Sequence, residues 1–246
     1  MIIMPVRNPY LVTRMNYKEV GRKILYFLFD PLVHLVKRFG IKPNHITLIG
    51  LLLNVVAILH LLNYFSWSNF HYGDNLFGFG IILGFAGLMD TIDGRLARLY
   101  DMKSKFGAFF DSVVDRYSEF IMFMGIVLYY NYFDHFIGVA LSFLALIGSI
   151  MVSYNRSRAE ALGVDCAVGF MQRPERIVFI GVWAIIWGIV YRISPSADIN
   201  NILIEGLDYF TAGFIFLAIS TNITALRRLF HSEIQLRKLT HERKNS

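Results

Sequence analysis

Four aspartates lie close together in a part of the chain that is otherwise rich in apolar and small residues: Asp90, Asp93, Asp111 and Asp115. The first two are three residues apart and the last two are four apart, so each pair lies on one face of a helix. Carboxylates in apolar surroundings repel each other and lose hydration, so four of them together predict bound cations. Oxygen-only ligands favour Mg²⁺ or Mn²⁺, and four carboxylates suffice for two ions about 4 Å apart, an arrangement that promotes in-line displacement at phosphorus.

The elements that carry these acids are predicted to be membrane helices. Of the 246 residues, 55% are hydrophobic and 17% are charged, which is more apolar surface than a soluble domain of this length can bury. A span needs about 20 mostly apolar residues. Six windows satisfy this: His45 to Phe65, Phe77 to Leu99, Phe109 to Tyr130, Phe136 to Tyr154, Arg176 to Tyr191 and Ile202 to Leu226. A connection of about a dozen residues between the second and third windows brings the two pairs of acids side by side.

The predicted fold is all-α, a polytopic membrane protein with six transmembrane helices and an N-terminal interfacial helix. The segment Lys18 to Phe39 mixes bulky apolar residues with Lys and Arg and contains Asp30-Pro31, so we expect it to lie in the interface rather than span the bilayer. Three regions follow: a cytoplasmic and interfacial segment at 1–42, a six-helix membrane domain at 43–226 and a basic cytoplasmic tail at 227–246.

Charge distribution predicts the orientation. Of the 24 Lys and Arg residues, all but Arg192 fall on one side of the six predicted spans. Basic loops remain in the cytoplasm, so both termini and the aspartates are expected there. Contact with anionic lipid headgroups accounts for the net charge of +6, and nucleic acid is not a predicted partner. The only cysteine, Cys166, excludes an intrachain disulfide and a cysteine-based metal cluster.

Small residues accompany the acids. Gly94 and Ala97 follow Asp93 on the same helix, and Gly107 precedes Asp111 by about one turn. Side chains without bulk let a nucleotide or a neighbouring helix approach the backbone closely. We interpret Gly94 and Ala97 as a surface for substrate, whereas Gly107 fits helix packing equally well.

The motif as a whole resembles the signature of the CDP-alcohol phosphatidyltransferases. The matching positions are Asp90-x2-Asp93-Gly94-x2-Ala97-Arg98-x8-Gly107-x3-Asp111-x3-Asp115. The entry to the first span, Pro43-Asn44-His45-Ile46-Thr47, is also similar to that family's, although Pro43 and Asn44 can simply begin a helix. The resemblance implies that the four aspartates hold two divalent ions against the CDP diphosphate, with Gly94, Ala97 and Arg98 near the nucleotide. It also implies that Asp115 is the general base for the attacking hydroxyl, and that the enzyme is a homodimer.

A cluster of arginines bears on the acceptor alcohol. Arg156 and Arg158 lie at the exit of the fourth predicted span, and Arg176 opens the fifth. They either anchor the topology or form a fork of donors for an acceptor that carries a phosphate. The cluster resembles the Ser-Tyr-x-basic-x-Arg-Ala-Glu and Pro-x-Arg elements of phosphatidylinositol-phosphate synthases, with arginine at position 156 where lysine is frequent. The expected reaction is CDP-diacylglycerol plus inositol phosphate giving phosphatidylinositol phosphate and CMP.

Three alternatives remain open at this point. The same chemistry can use serine, glycerol phosphate or another polyol phosphate as acceptor, or CDP-inositol as donor. Acids within spans also mark ion pathways, so a divalent-cation transporter is a hypothesis of a different class. A catalytically silent scaffold would lack at least one of the four aspartates, and none is missing.

Overall fold

The structure is a computed structural model that describes residues 29–62, 72–193 and 209–245. Within these ranges the chain forms seven α-helices and no β-strand. Helix α1 covers residues 29–38 of the described chain. The remaining helices are α2 (Pro43–Leu61), α3 (Tyr72–Leu99), α4 (Lys105–Tyr132), α5 (Phe136–Ala161), α6 (Arg173–Ile193) and α7 (Tyr209–Asn245). The predicted all-helical fold is confirmed.

Five of these helices are long and apolar enough to cross a bilayer: α2, α3, α5, α6 and α7. They coincide with five of the six predicted spans, and the chain is an integral membrane protein. The sixth predicted span, Phe109 to Tyr130, falls on α4. That helix has 28 residues, as α3 does, but its first four turns contain five charged residues, Lys105, Asp111, Asp115, Arg116 and Glu119. The count of six spans therefore stays a prediction.

Helix α1 packs against the C-terminal end of α3. Val33 is fully buried against Ile46 of α2 and Leu96 of α3. The Asp30 carboxylate accepts two hydrogen bonds from the Arg95 guanidinium, at 2.7 Å from Nε and 2.8 Å from Nη2. These bonds hold the pKa of Asp30 below its ordinary value, so the stabilisation from this pair is lost only as pH falls through that lowered pKa. Of the predicted interfacial helix, the part before residue 29 lies outside the described residues, and the described part includes Asp30-Pro31.

Local signals fix the ends of the helices near the acids. Gly40 follows α1 with a φ of +71°, a conformation that favours glycine. Pro43 occupies the first turn of α2. The Ser104 side chain caps α4 by accepting a hydrogen bond from the Gly107 amide at 2.9 Å. The link between α3 and α4 is only residues 100–104, shorter than the predicted dozen, so both pairs of acids lie within helices rather than at their ends.

Packing leaves a gap beside the acids. Helix α3 packs extensively against α2 and α6, while α5 packs against α7 and α2 against α4. By contrast, the described parts of α3 and α4 have little or no direct backbone packing. The apolar core lies farther along the bundle, where Phe79, Phe123 and Phe214 are buried. A polar cleft between α3 and α4 results, walled by α2 and α6.

Helices α3 and α6 cross closely at two glycines. A Cβ atom on Gly80 would lie 2.6 Å from the Gly181 carbonyl oxygen and 2.7 Å from Ile185 Cγ1. Real Cβ atoms do not approach a backbone oxygen so closely, so any larger residue at position 80 must push the helices apart. This crossing sets the distance of the first turn of α6 from the acids of α3.

We therefore expect Gly80→Ala to destabilise the fold. Overpacking of this kind costs about 1 to 3 kcal/mol, which should lower the midpoint of thermal unfolding of the detergent-purified protein by several degrees. Gly84→Ala on the same helix is the matched control, because a Cβ there meets nothing within 4 Å. Equal midpoints for the two variants would contradict a tight crossing at Gly80.

Candidate active site

The four aspartates face one cleft, as their spacing predicts. Asp90 and Asp93 project from α3, and Asp111 and Asp115 project from α4. Each of the other three carboxylates lies close enough to repel Asp90 electrostatically. Asp93 is 6% exposed, so water shields it poorly. Four acids so placed require a positive charge between them.

Arg173, the first residue of α6, supplies that charge in this structure. Its Nη1 donates to Asp90 Oδ2 and also lies 2.9 Å from Asp115 Oδ1. One guanidinium nitrogen thus joins α6 to α3 and to α4 across the cleft. Arg173 had no role assigned to it from the sequence. Its position directly before Pro174 at a helix start was the available signal.

Thr47 orients Asp93. Its hydroxyl donates to Asp93 Oδ2 at 2.7 Å, and both side chains are buried. Thr47 lies one turn into α2, after the proline that begins the helix. The Pro43-to-Thr47 motif therefore does more than start a helix, because its last residue holds one of the acids.

The donor set fits a hard divalent ion. Asp115 Oδ1 is buried and, although close to Arg173, has no hydrogen-bond donor in good geometry among the described residues. An orphaned carboxylate oxygen of this kind favours a cation. As the side chains stand, no three His, Cys, Asp or Glu residues in the described chain are gathered tightly enough to enclose one ion. Arg173 lies between Asp90 and Asp115, where a cation would have to sit to bind both.

Small residues extend the acidic face of α3. Gly94 and Ala97 are half-buried and share this face with Asp90 and Asp93 through spacings of three, four and seven residues. The three atoms nearest to a Cβ on Gly94 would all belong to the Arg98 guanidinium, the closest at 3.3 Å. Space beside Gly94 is therefore bounded by a flexible cationic side chain. At Gly107 a Cβ would lie 2.9 Å from the Ser104 hydroxyl, so this glycine serves the helix cap.

An apolar groove of about 510 Å³ opens beside Asp90 and runs between α3 and α6. Asp90 and Thr91 lie at one end, and Gly80 and Ile185 lie at the other. Gly80 and Asp90 are ten residues apart, which corresponds to roughly 15 Å of helix, about half the thickness of the hydrocarbon core. Apart from Asp90 and Thr91, its walls are glycines, Pro174 and apolar side chains. Such a groove suits a hydrocarbon chain whose polar head lies at the acids.

The three arginines predicted to hold the acceptor lie in different surroundings in the structure. Arg156 is exposed and pairs with Glu160 at 2.7 Å. Arg158 lines a cavity of about 540 Å³ between α5 and α7, neither of which carries a signature aspartate. Arg176 is fully buried, and its guanidinium donates to Glu119 at 2.6 and 2.8 Å. The structure does not gather the three into one fork, and their role in acceptor binding stays a prediction.

Two buried charges near the cleft escaped the sequence analysis. Glu119 lies one turn beyond Asp115 on α4, and the four-residue spacing was its signal. Arg228 of α7 is 2% exposed, donates to the carbonyl oxygens of Val168 and Val152, and lies close enough to interact with Arg156 and Arg176. Arg228 had been counted with the basic tail that begins at residue 227, whereas the structure buries it against the bundle.

Comparison with known proteins decides the family. Residues 41–223 match the CDP-alcohol phosphatidyltransferase family over about three quarters of the chain. The chain belongs to this family. It is accordingly a phosphatidyltransferase of phospholipid biosynthesis, and the resemblance that its motif indicated is confirmed.

Individual proteins that are similar to this chain include inositol phosphate synthases of two kinds. The chain is 35% identical to archaetidylinositol phosphate synthase of Methanothermobacter thermautotrophicus, over 77% of this chain and 87% of that protein. It is also similar to phosphatidylinositol phosphate synthase of Mycobacterium tuberculosis. The structure of that enzyme with CDP-DAG bound gives a TM-score of 0.63 at 25% identity, over 82% of this chain and 92% of the other. Its complex with manganese and citrate gives a TM-score of 0.64 at 26% identity, over 82% and 87%.

Thr47→Val should impair catalysis through Asp93. The substitution preserves shape but removes a hydrogen bond to a charged group, which is worth about 1.5 to 3 kcal/mol, so we expect kcat/KM for CMP release to fall about tenfold or more. Thr47→Ser should retain most activity because it keeps the hydroxyl. Thr221→Val, at a buried threonine whose hydroxyl bonds Leu217 within α7, serves as control. Unaltered turnover in Thr47→Val would remove Thr47 from the site.

Proposed function

We propose that this protein transfers a phosphatidyl group from CDP-diacylglycerol to inositol phosphate, giving phosphatidylinositol phosphate and CMP. The observation that carries the proposal is the cleft between α3 and α4, which the four signature aspartates face and where the Arg173 guanidinium joins Asp90 to Asp115. Membership of the family and the names of the inositol phosphate synthases among its relatives support the substrates.

The donor is proposed to lie across two neighbouring surfaces. Its diphosphate faces the aspartates, and the nucleotide lies along Gly94, Ala97 and Arg98, where α3 offers little bulk. Its hydrocarbon chains occupy the apolar groove between α3 and α6, which begins at Asp90. A groove that opens next to the acids favours a lipid-linked donor over a soluble one such as CDP-inositol. Because its walls are apolar, the groove would accept either acyl chains or the ether-linked chains of archaeal lipids.

Asp90, Asp93, Asp111 and Asp115 are proposed to hold two divalent ions, Mg²⁺ or Mn²⁺. When bound, these ions neutralise the diphosphate and polarise phosphorus toward attack. Asp115 takes the proton from the attacking hydroxyl, for which its Oδ1, buried without a good donor, is suited. Thr47 keeps Asp93 in place, and the Arg176–Glu119 pair holds α6 beside α4.

The acceptor is proposed to approach from the side of the cleft where basic residues gather. Arg156 and Arg176 each lie close enough to Arg228 to repel it electrostatically, so positive charge is concentrated around Arg228. We retain Arg156, Arg158 and Arg176 as the residues for the acceptor phosphate. Because Arg176 is bound to Glu119, it can serve the phosphate only by sharing its guanidinium or by exchanging partners.

In the proposed topology all six helices α2 to α7 cross the membrane, both termini are cytoplasmic and the active site faces the cytoplasm. The assignment of α4 as a span is supported by its apolar second half and by the clustering of its charges in its first four turns, beside the cleft. A homodimer is also proposed. Apolar side chains exposed on α4 and α5, among them Phe120, Met124 and Phe143, offer surface for lipid or a second copy.

Asp115→Asn should abolish transfer while leaving CDP-diacylglycerol binding largely intact, because three aspartates still face the donor. CMP release and donor binding are measured separately on detergent-purified protein. Chelation of divalent ions should also stop the reaction, and Mg²⁺ or Mn²⁺ should restore it. Activity of Asp115→Asn within a few-fold of the wild type would rule out its role as base. Metal-driven flux through liposomes that contain the protein, without transferase activity, would favour the transporter hypothesis.

A panel of acceptors tests the second substrate. CMP release should be fastest with inositol phosphate and much slower with free inositol, glycerol phosphate or serine. Arg156→Gln and Arg158→Gln should each raise the acceptor KM about tenfold, since each removes a charge-assisted hydrogen bond. Arg192→Gln is the control, because Arg192 lies in the last turn of α6, opposite the acids, and pairs with Asp74. Equal use of free inositol and inositol phosphate would refute recognition of the acceptor phosphate.

A further inference from the structure

Arg173 occupies an unusual position for a residue outside the family motif. Its Nη1 contacts carboxylates of two helices, Asp90 of α3 and Asp115 of α4, and both are aspartates to which a metal is assigned above. A cation bound to both carboxylates would need the space between them, which the guanidinium nitrogen fills. Ion and arginine must therefore compete.

The cleft makes this contact structurally important. Helices α3 and α4 have little or no direct packing, so long side chains from α6 span the space between them. Arg176 reaches Glu119 deeper in the bundle, where it is fully buried and meets no signature aspartate in the described contacts. Arg173 alone of the two reaches the signature aspartates, and its side chain remains 16% exposed. Arg173 therefore has access to solvent at the cleft, which the fully buried Arg176 does not.

We propose that Arg173 is an internal counter-cation that is exchanged for metal. It holds Asp90 and Asp115 together before divalent ions bind, it is displaced by them, and its guanidinium then donates to a phosphate of the bound substrates. The inference rests on the proposed function for the identity of the metal site, and it adds an order of events in which metal binding releases a phosphate-binding group. Planar guanidinium groups suit phosphate oxygens, and the tether at the first residue of α6 keeps Arg173 at the cleft after its release.

The first test measures Mn²⁺ binding without substrates, by electron paramagnetic resonance of the free ion. Arg173→Gln should lower the apparent Kd about tenfold, since the ion no longer has to displace charge-assisted contacts. Arg173→Lys should stay within about threefold of the wild type, because it keeps the competing charge. Arg116→Gln is the matched control: Arg116 lies 3.8 Å from Asp115 but donates to the Ser112 carbonyl, so it contributes charge without bridging.

The second test separates exchange from a purely structural role. In chelator, Arg173→Gln should unfold at a lower temperature than the wild type, because the aspartates have lost their counter-charge. In saturating Mn²⁺ this difference should disappear. The proposal would be overturned if the unfolding temperature of Arg173→Gln stayed below that of the wild type in saturating Mn²⁺. It would also be overturned if the Mn²⁺ affinity changed no more in Arg173→Gln than in Arg116→Gln. If Arg173→Gln does not fold in chelator, Mn²⁺ should restore folded protein, and failure to fold with Mn²⁺ as well would overturn the proposal.

The third test concerns the released guanidinium. With saturating metal, Arg173→Gln should raise the KM of one substrate about tenfold. A raised donor KM identifies the diphosphate as its partner, and a raised acceptor KM identifies the acceptor phosphate. Unchanged KM for both would refute the phosphate step. If the protein releases CMP but Arg173 does not compete with Mn²⁺, only this inference is refuted. If Arg173 competes with Mn²⁺ but the protein never releases CMP, the proposed function is refuted.

Discussion

Repulsion among four carboxylates inside an apolar bundle is the constraint on which the structure depends. Asp90, Asp93, Asp111 and Asp115 share one poorly hydrated cleft, and a buried charge without a partner costs several kcal/mol. The bundle meets this cost by keeping α3 and α4 apart and by placing cationic side chains of α6 between them. The first turn of α6 is therefore as important to the site as the acidic helices are, even though the motif that identifies the family includes none of its residues.

Much of this arrangement could be predicted from the sequence. Helical spacing placed each pair of aspartates on one face, and hydropathy placed the helices in the membrane, so the four acids were expected to converge. Contacts between helices that are far apart in the sequence were harder to predict. Nothing in the local sequence shows that Thr47 bonds Asp93, that Arg176 turns toward Glu119, or that Arg228 is buried rather than part of a solvated tail. Such choices depend on the rotation of each helix about its axis, which tertiary packing decides.

The arginines illustrate the same limit. Sequence spacing puts Arg156 and Arg158 two residues apart, which on a helix directs them about 200° apart rather than side by side. Arg156 accordingly pairs with Glu160, whereas Arg158 lines the cavity between α5 and α7. In the same way Arg173 and Arg176, one turn apart, share a face of α6 but reach different acids of α4. Charge composition alone therefore identified the basic side of the cleft without identifying which guanidinium meets which carboxylate.

The glycines of α3 connect this electrostatic arrangement to substrate access. Gly80 and Gly181 let α3 and α6 cross at contact distance, and this close crossing allows Arg173 to reach Asp90. The same two helices leave open space beside Gly84, where a Cβ would meet nothing within 4 Å, and this space is part of the apolar groove that opens at Asp90. One helix pair thus sets both the distance of the counter-charge and the width of the groove. A substitution that widens the crossing should disturb metal binding and lipid binding together, which explains why small residues are needed far from the aspartates themselves.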